Sequence, residues 1–477
     1  MPLFKLPMFT PKPEKPDVPK DKKKEITIRC LLFFDGTLNN RKNIEERQKQ
    51  ERHEGSIPYL TNRANQNKEQ RLAQGVLAVD LKDDSYENDF SNIVELEKNI
   101  EKNQQGYDER IKVYTEGAGT EDLGKDKTPG FAFAAGTTGI KTKVKKGIDD
   151  AVEQISAGPD KENPRKPEMF IIKKLTIDIF GFSRGAASAR YCVHQLLQDE
   201  QTNIRKRLTD AWFDVEEVEI CFVGLFDTVS SYYGAQFIKI LPLENWLVKL
   251  EAISDARVKK VVHLASADEH RYHFSLHNIK SAGGKGKEYF LPGTHSDVGG
   301  GYLDNGSDAG LKVFQGPPYL AVKDRAEYLV ANGWYKEEQL TEEVFRTTEA
   351  GDPELVGLTV SPQNPRDKVR NAYCKIPLKI MAKRAGENGI NITPVLEENA
   401  TGIIEGAGLS TFESKINADI EKMGTKSTFD QWQKVVPELK TIRHQHLHFS
   451  ARYNTVFGHN PRRSFFSQKR ERYEFDG

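Results

Sequence analysis

The stretch Leu175-Thr176-Ile177-Asp178-Ile179-Phe180-Gly181-Phe182-Ser183-Arg184-Gly185-Ala186-Ala187-Ser188-Ala189-Arg190 constrains the fold more than any other. Leu175 to Phe180 is apolar and β-branched, as expected of a strand covered on both faces in a mostly parallel sheet. Gly181 to Gly185 then fits G-x-S-x-G, in which a serine occupies a strained strand-to-helix turn and small neighbours let the two elements approach. Ala189, Cys192, Val193, Leu196 and Leu197 follow with helical spacing and predict one apolar stripe. The free N–H groups and positive dipole end of that helix favour an oxyanion beside Ser183. The competing reading is a structural turn that happens to carry serine. Asp178 is anomalous, a charge in the middle of a strand expected to be buried, and it requires a hydrogen-bonding partner.

Other segments extend the pattern. Ile26 to Phe34 reads as a strand ending in Asp35-Gly36-Thr37-Leu38-Asn39-Asn40. That turn either supplies a second oxyanion N–H, from Gly36 or Thr37, or is an Asx-type turn capped by Asp35. Ser91 is placed to cap a helix, and Ile111 to Tyr114 gives a further strand. Val218 to Phe226 is a strong strand running into Asp227, and Val261 to Ala267 is another. Glu288 to Gly293 leads into Thr294-His295-Ser296-Asp297-Val298-Gly299-Gly300-Gly301. The expected fold class is α/β, a mostly parallel sheet with helices on both faces.

Serine, acid and base thus occur in the order Ser183, Asp227, His295, each on a loop after a strand, which is the chain order of α/β-hydrolases. In that scheme His295 takes the Ser183 proton and Asp227 fixes the imidazole tautomer. The N–H of Arg184 and one from the first turn bind the oxyanion, while Gly181 and Gly185 let the elbow close. Asp297 and Asp35 remain rivals for the acid. Four other histidines, His263, His270, His273 and His277, precede His295 without the spacing of a metal shell. His444, His446 and His448 would share one face of a strand, but no carboxylate pattern accompanies them, so no metal or other cofactor is expected.

Lys+Arg and Asp+Glu both number 70, so no global field recruits nucleic acid, and none is expected as a partner. Mean hydropathy is −0.63, that of a very soluble protein. Cys30, Cys192, Cys221 and Cys374 form neither a disulfide framework nor a C-x-x-C pair, which leaves buried thiols as the expectation. Met1 to Glu25 lacks the apolar core of a signal peptide, so synthesis in the cytoplasm is expected.

The expected organisation is a Pro/Lys-rich tail over 1–25 and a catalytic core over 26–305 with a charged insertion at about 41–88. A mainly helical cap or accessory module follows over 306–440, then a C-terminal strand and basic tail over 441–477. Helices are predicted at Lys141–Ile155, Ala321–Asn332, Lys336–Thr348 and Leu378–Gly389, and a last strand at His446–Tyr453. Phe131 to Ile140, uncharged amid charged sequence, either lines an acyl pocket or starts a helix.

The segments Phe33-Phe34-Asp35-Gly36-Thr37, Gly181 to Ala186, Phe226-Asp227-Thr228-Val229 and Pro292 to Tyr302 resemble the antibacterial type VI secretion phospholipase effectors of the first lipase group. The resemblance runs from Ile26 to Tyr302 and again over Ile376 to Ile390. It implies phospholipase A1 or A2 action on bacterial glycerophospholipids, with Ser183, Asp227 and His295 as the triad. It further implies delivery by a secretion spike into a rival's periplasm, a membrane-contacting accessory region and a cognate immunity protein. In the first loop, the family usually has glycine where this chain has Leu38. Two other functions fit the residues alone, a carboxylesterase on small soluble esters and a non-catalytic adaptor on the same fold.

Overall fold

In the computed structural model the described residues are 15–52, 85, 88–123, 139–160, 162–200, 203–230, 249–271, 273–316, 322–347, 351–423, 429–453 and 472–477. The first part of the N-terminal tail, most of the charged insertion, nearly all of the uncharged segment from Phe131, and the basic tail from Arg462 up to 471 lie outside them.

Six strands form one parallel sheet in the order β2-β1-β3-β4-β5-β7: β1 (Lys24–Phe34), β2 (Glu109–Thr115), β3 (Phe170–Phe182), β4 (Asp214–Phe226), β5 (Val258–Ser266) and β7 (Gly286–Leu291), with the short β6 (Leu276–His277) outside it. Helices cover both faces, which is why β1 and β3 are buried along most of their length. One face packs against α3 (Ile140–Ala157), α4 (Arg184–Leu197) and α5 (Ile204–Asp210), through Ile148, Val193 and Ile204 among others. The short helices α1 (Arg41–Arg52) and α2 (Asn92–Lys98) flank the first loop, and Ser91 caps α2 by accepting from the Val94 N–H.

The other face is covered by α2 and by the later helices. After α6 (His295–Gly299) and β8 (Lys312–Gly316) come α7 (Val322–Ala331), β9 (Leu340–Thr347), β10 (Pro353–Val360), α8 (Lys375–Gly386), α9 (Pro394–Gly406), α10 (Ser410–Met423), α11 (Phe429–Val435) and α12 (Leu439–His446). Phe412, Trp432 and Leu439 share one continuous core with Phe180 and Phe222 of the sheet, and the Trp432 indole donates to the Phe290 carbonyl at 2.8 Å. The last described element, β11 (Glu474–Phe475), pairs with β6.

The partner that Asp178 requires is Arg29 on the neighbouring β1. Its Nε donates to Oδ2 at 2.7 Å and its Nη2 to Oδ1 at 3.3 Å, with both side chains buried. The remaining guanidinium donors go to the Gly389 and Asn388 carbonyls beyond α8. Burial pushes the Asp178 carboxyl up to about 6, against the opposing pull of Arg29.

Two expected elements differ. Lys336 to Thr348, read as a helix, instead contains a single turn of 3₁₀ helix and then β9, which is antiparallel to β10. The β-branched Thr341, Val344 and Thr347 find a pairing partner in Pro353–Val360, and that contact outweighs the helix propensity of the glutamates. His446 to Tyr453, read as a strand, begins on the last residue of α12 and continues outside any ladder. Leu447, Phe449 and Ala451 do join the apolar core, with His448 and Ser450 buried between them, but the His448 N–H is taken by the Asp297 carboxylate rather than by a neighbouring strand. His444, His446 and His448 therefore share no strand face.

Candidate active site

The turn between β3 and α4 holds Ser183 at φ 59°, ψ −125°, a strained conformation costing on the order of 1–3 kcal/mol for a residue with a side chain. Neighbouring backbone maintains it. The Ser183 N–H donates to the Phe226 carbonyl at 3.0 Å, and its own carbonyl accepts from the Val229 N–H at 3.3 Å. A Cβ at Gly181 would collide with the Gly185 carbonyl, and one at Gly185 with the carbonyls of Phe34 and Asp35. Both glycines are thus required by close backbone approach. The Ser183 side chain makes no capping bond to the helix it precedes. The Arg184 N–H, in the first turn of α4, has no carbonyl four residues back to receive it.

Asp227 directly follows β4, at φ 43°, with its side chain fully buried. Its Oδ1 accepts from the Ser266 N–H at 2.9 Å, and its Oδ2 meets His295 Nδ1 at 2.5 Å. An ionised carboxylate only accepts, so Nδ1 carries the proton and Nε2 keeps its lone pair. Burial alone would raise the Asp227 carboxyl; the Arg472 guanidinium, and then His295, reverse this and hold it far below the usual carboxylate range. Burial pushes the His295 imidazole below its ordinary value, with Asp227 opposing and Arg271 reinforcing the shift. The His295 ring lies 4.7 Å from that of Phe182, the residue before the nucleophile candidate, and 5.0 Å edge-on from that of Phe274. The base is thereby packed against the elbow.

His295 stands on the first turn of α6 rather than on an irregular loop. Asp297 caps that helix, its Oδ2 accepting from the Thr294 N–H and hydroxyl, each at 2.9 Å. Its other oxygen pairs with His448 Nδ1 at 2.8 Å. Asp297 therefore positions the helix and is turned away from the His295 imidazole. Glu269, paired with Arg271, accepts from the His295 N–H at 3.3 Å.

In the first turn, Asp35 is buried and accepts from the Ser91 hydroxyl, the Tyr114 hydroxyl and the Gly36 N–H, each at 2.7 Å. Burial, partly offset by these bonds, pushes its carboxyl up to about 6. Gly36 thus has its amide engaged by Asp35, while Leu38 donates to Ala118 and Asn39 to Gly36. Among the described residues, the Thr37 N–H alone of these is not so engaged. A Cβ at Gly36 would lie 2.5 Å from the Phe182 ring, so the turn sits directly against the elbow. Leu38, in the place where the resembled family usually has glycine, is held at φ 58°.

The remaining histidines are spread out. His263 Nδ1 meets Glu288 at 2.8 Å while its Nε2 accepts from the Thr228 N–H at 3.0 Å, so this pair pins the residue after Asp227. His277 is pushed down to about 3 by burial and by the nearby Arg190 and Arg472. Among the described residues, no group of three His, Cys, Asp or Glu side chains is placed to hold a metal ion. Sequence reasoning missed Arg472, Glu269, Ser266, Phe274 and the His263–Glu288 pair. Only Glu269-x-Arg271, charged residues just past a buried strand, left a local signal.

Residues 194–316 match the family described as type VI secretion phospholipase effector Tle1-like, catalytic domain. That segment holds Asp227 and His295, and Ser183 lies just before it. Among solved structures, the chain is similar to the Tle1 effector bound to the VgrG spike from the type VI secretion system, at 22% identity over 91% of this chain and 86% of that one, with a TM-score of 0.57. At that identity the likeness carries the fold. An uncharacterized protein from Pseudomonas aeruginosa aligns at 18% identity over 88% of this chain and 53% of that one, with a TM-score of 0.39. None of the curated proteins matches. Over the segment that carries Asp227 and His295, this chain is similar to the catalytic domain of the Tle1-like phospholipase effectors of type VI secretion.

Proposed function

We propose that the chain is a serine-dependent phospholipase A that hydrolyses acyl esters of bacterial glycerophospholipids, with Ser183 as nucleophile, His295 as base and Asp227 as acid. The observation that carries this reading is the bond between His295 Nδ1 and Asp227, on a ring packed against the Ser183 elbow. His295 Nε2 takes the Ser183 proton as Oγ bonds to the ester carbonyl carbon. The Arg184 and Thr37 N–H groups receive the developing oxyanion. Collapse breaks the bond to the glycerol oxygen, which takes the proton from His295 and leaves as lysophospholipid. Water, deprotonated by His295, then releases the fatty acid and restores Ser183.

The family match in 194–316 supports delivery as a type VI secretion toxin. We assign the chain a spike of the VgrG kind as carrier, by analogy with the similar effector, a rival's periplasm as destination and an immunity protein in the producer. Among the described residues no helix is long and apolar enough to cross a membrane. We place contact with lipid on the surface of the mainly helical region 306–440.

The test is product analysis by mass spectrometry after incubation with phosphatidylethanolamine or phosphatidylglycerol vesicles. Free fatty acid and lysophospholipid are expected, and Ser183→Ala, still folded by circular dichroism, is expected to release neither. Product formation that survives Ser183→Ala removes the mechanism. A preference for short soluble esters over vesicles selects the carboxylesterase instead.

A further inference from the structure

Arg472 lies 245 residues from Asp227 in the chain, yet its guanidinium meets both oxygens of the Asp227 carboxylate, Nη1 to Oδ1 at 2.6 Å and Nη2 to Oδ2 at 2.8 Å. The same side chain donates from Nε to the Phe274 carbonyl at 2.7 Å and from Nη1 to the Ser266 carbonyl at 3.3 Å. Its partners are thus the acid, the residue whose N–H holds the acid, and the residue whose ring lies edge-on to His295. The Arg472 side chain is 8% exposed and that of Asp227 0%, so water screens their attraction little.

The segment carrying Arg472 is fastened by contacts of its own. The Leu276 N–H donates to the Tyr473 carbonyl at 2.8 Å and the Asn278 N–H to the Phe475 carbonyl at 3.0 Å. Asp476 accepts from Asn278 at 2.8 Å and from Lys280 at 2.6 Å, while the Phe475 ring stacks on His277 at 5.3 Å.

We propose that Arg472 is a positioning residue of the hydrolytic relay, fixing the Asp227 carboxylate in the rotamer that faces His295 and keeping the imidazole free of a proton under mildly acidic conditions. The assignment rests on the serine-hydrolase reading given above. A bidentate guanidinium leaves a carboxylate one orientation, which a single hydrogen bond does not. It also neutralises much of the negative charge that would otherwise raise the basicity of the adjacent imidazole. Asp227, Arg271 and Glu269 act on His295 directly, and Arg472 acts on it through Asp227, so the charges form two pairs: Arg472 with Asp227, and Arg271 with Glu269. Removing Arg472 leaves the balance around the ring one positive charge short.

The experiment is the pH dependence of kcat/KM on a soluble chromogenic ester, for the full chain and for Arg472→Ala and Arg472→Lys. Activity requires neutral His295, so the acid limb reports its protonation. Arg472→Ala is expected to move that limb upward by about one pH unit. Below the limb this is a loss of about tenfold, regained at alkaline pH. Arg472→Lys keeps the charge but not the fork, so its limb is expected to stay in place while the plateau falls several-fold.

A limb that does not move in folded Arg472→Ala overturns the assignment. Should that variant not fold, Arg472→Lys decides: a limb shifted upward, or a plateau equal to that of the unmodified chain, overturns it. Hydrolysis that is absent from the unmodified chain, or that survives Ser183→Ala, instead removes the reading on which the assignment rests.

Discussion

Gly299, at the end of α6, lies so close to Phe182 that a Cβ on the glycine would fall inside van der Waals contact of the ring. The helix that carries His295 is in this way seated directly on the residue before Ser183. Base and nucleophile candidates share one packing contact.

Gly299→Ala must push either the ring or the helix aside. Overpacking of this kind costs about 1–3 kcal/mol. A displacement of about 1 Å between reacting groups costs about a hundredfold in rate. We expect a lowered melting temperature and at least that loss in ester hydrolysis. Wild-type turnover in this variant would show that the contact does not set the catalytic geometry.

The buried Arg29–Asp178 pair makes a prediction about stability alone. Replacing Asp178 with Asn leaves the guanidinium buried without its counter-charge, at a cost of about 3–5 kcal/mol. Urea unfolding is expected to show a single-variant loss of that size. Arg29→Met combined with Asp178→Leu is expected to lose less than the sum of the two single changes. Strict additivity would mean that the two side chains do not interact.

Asp227 and Asp297 are separated by ester hydrolysis. Asp227→Asn removes the acceptor that sets the His295 tautomer and is expected to lower kcat by about four orders of magnitude, as in triads generally. It also leaves Arg472 without its carboxylate, so a loss of stability accompanies it. Asp297→Asn weakens a helix cap, worth about 1 kcal/mol, and is expected to lower the melting temperature while retaining most of the turnover. The opposite ranking in kcat would move the acid to Asp297.

The strands of the main sheet were legible through their apolar residues, continuous along β3 and alternating in β2, and the candidates Ser183, Asp227 and His295 were legible because each follows such a strand. Asp178 announced a missing partner through its position in β3, but which residue supplied it depended on lateral strand order, since Arg29 lies on the adjacent β1. In β9 the glutamates suggested a helix, and the pairing with Pro353–Val360 that overrides them is tertiary. The apolar Leu447, Phe449 and Ala451 did signal burial, yet the backbone partner at His448 is a side chain from α6. Arg472 left no signal at all, because nothing local marks a lone arginine in a basic tail as the partner of a carboxylate far away in the sequence.

The central claim is that Ser183 is a nucleophile activated through His295, and covalent labelling tests it most directly. A fluorophosphonate incubated with the folded chain, followed by peptide mapping, is predicted to modify Ser183. Labelling is expected to vanish in Ser183→Ala and to slow by at least about a thousandfold in His295→Ala. A folded chain that takes up no label at Ser183, or one labelled there equally fast without His295, contradicts the account.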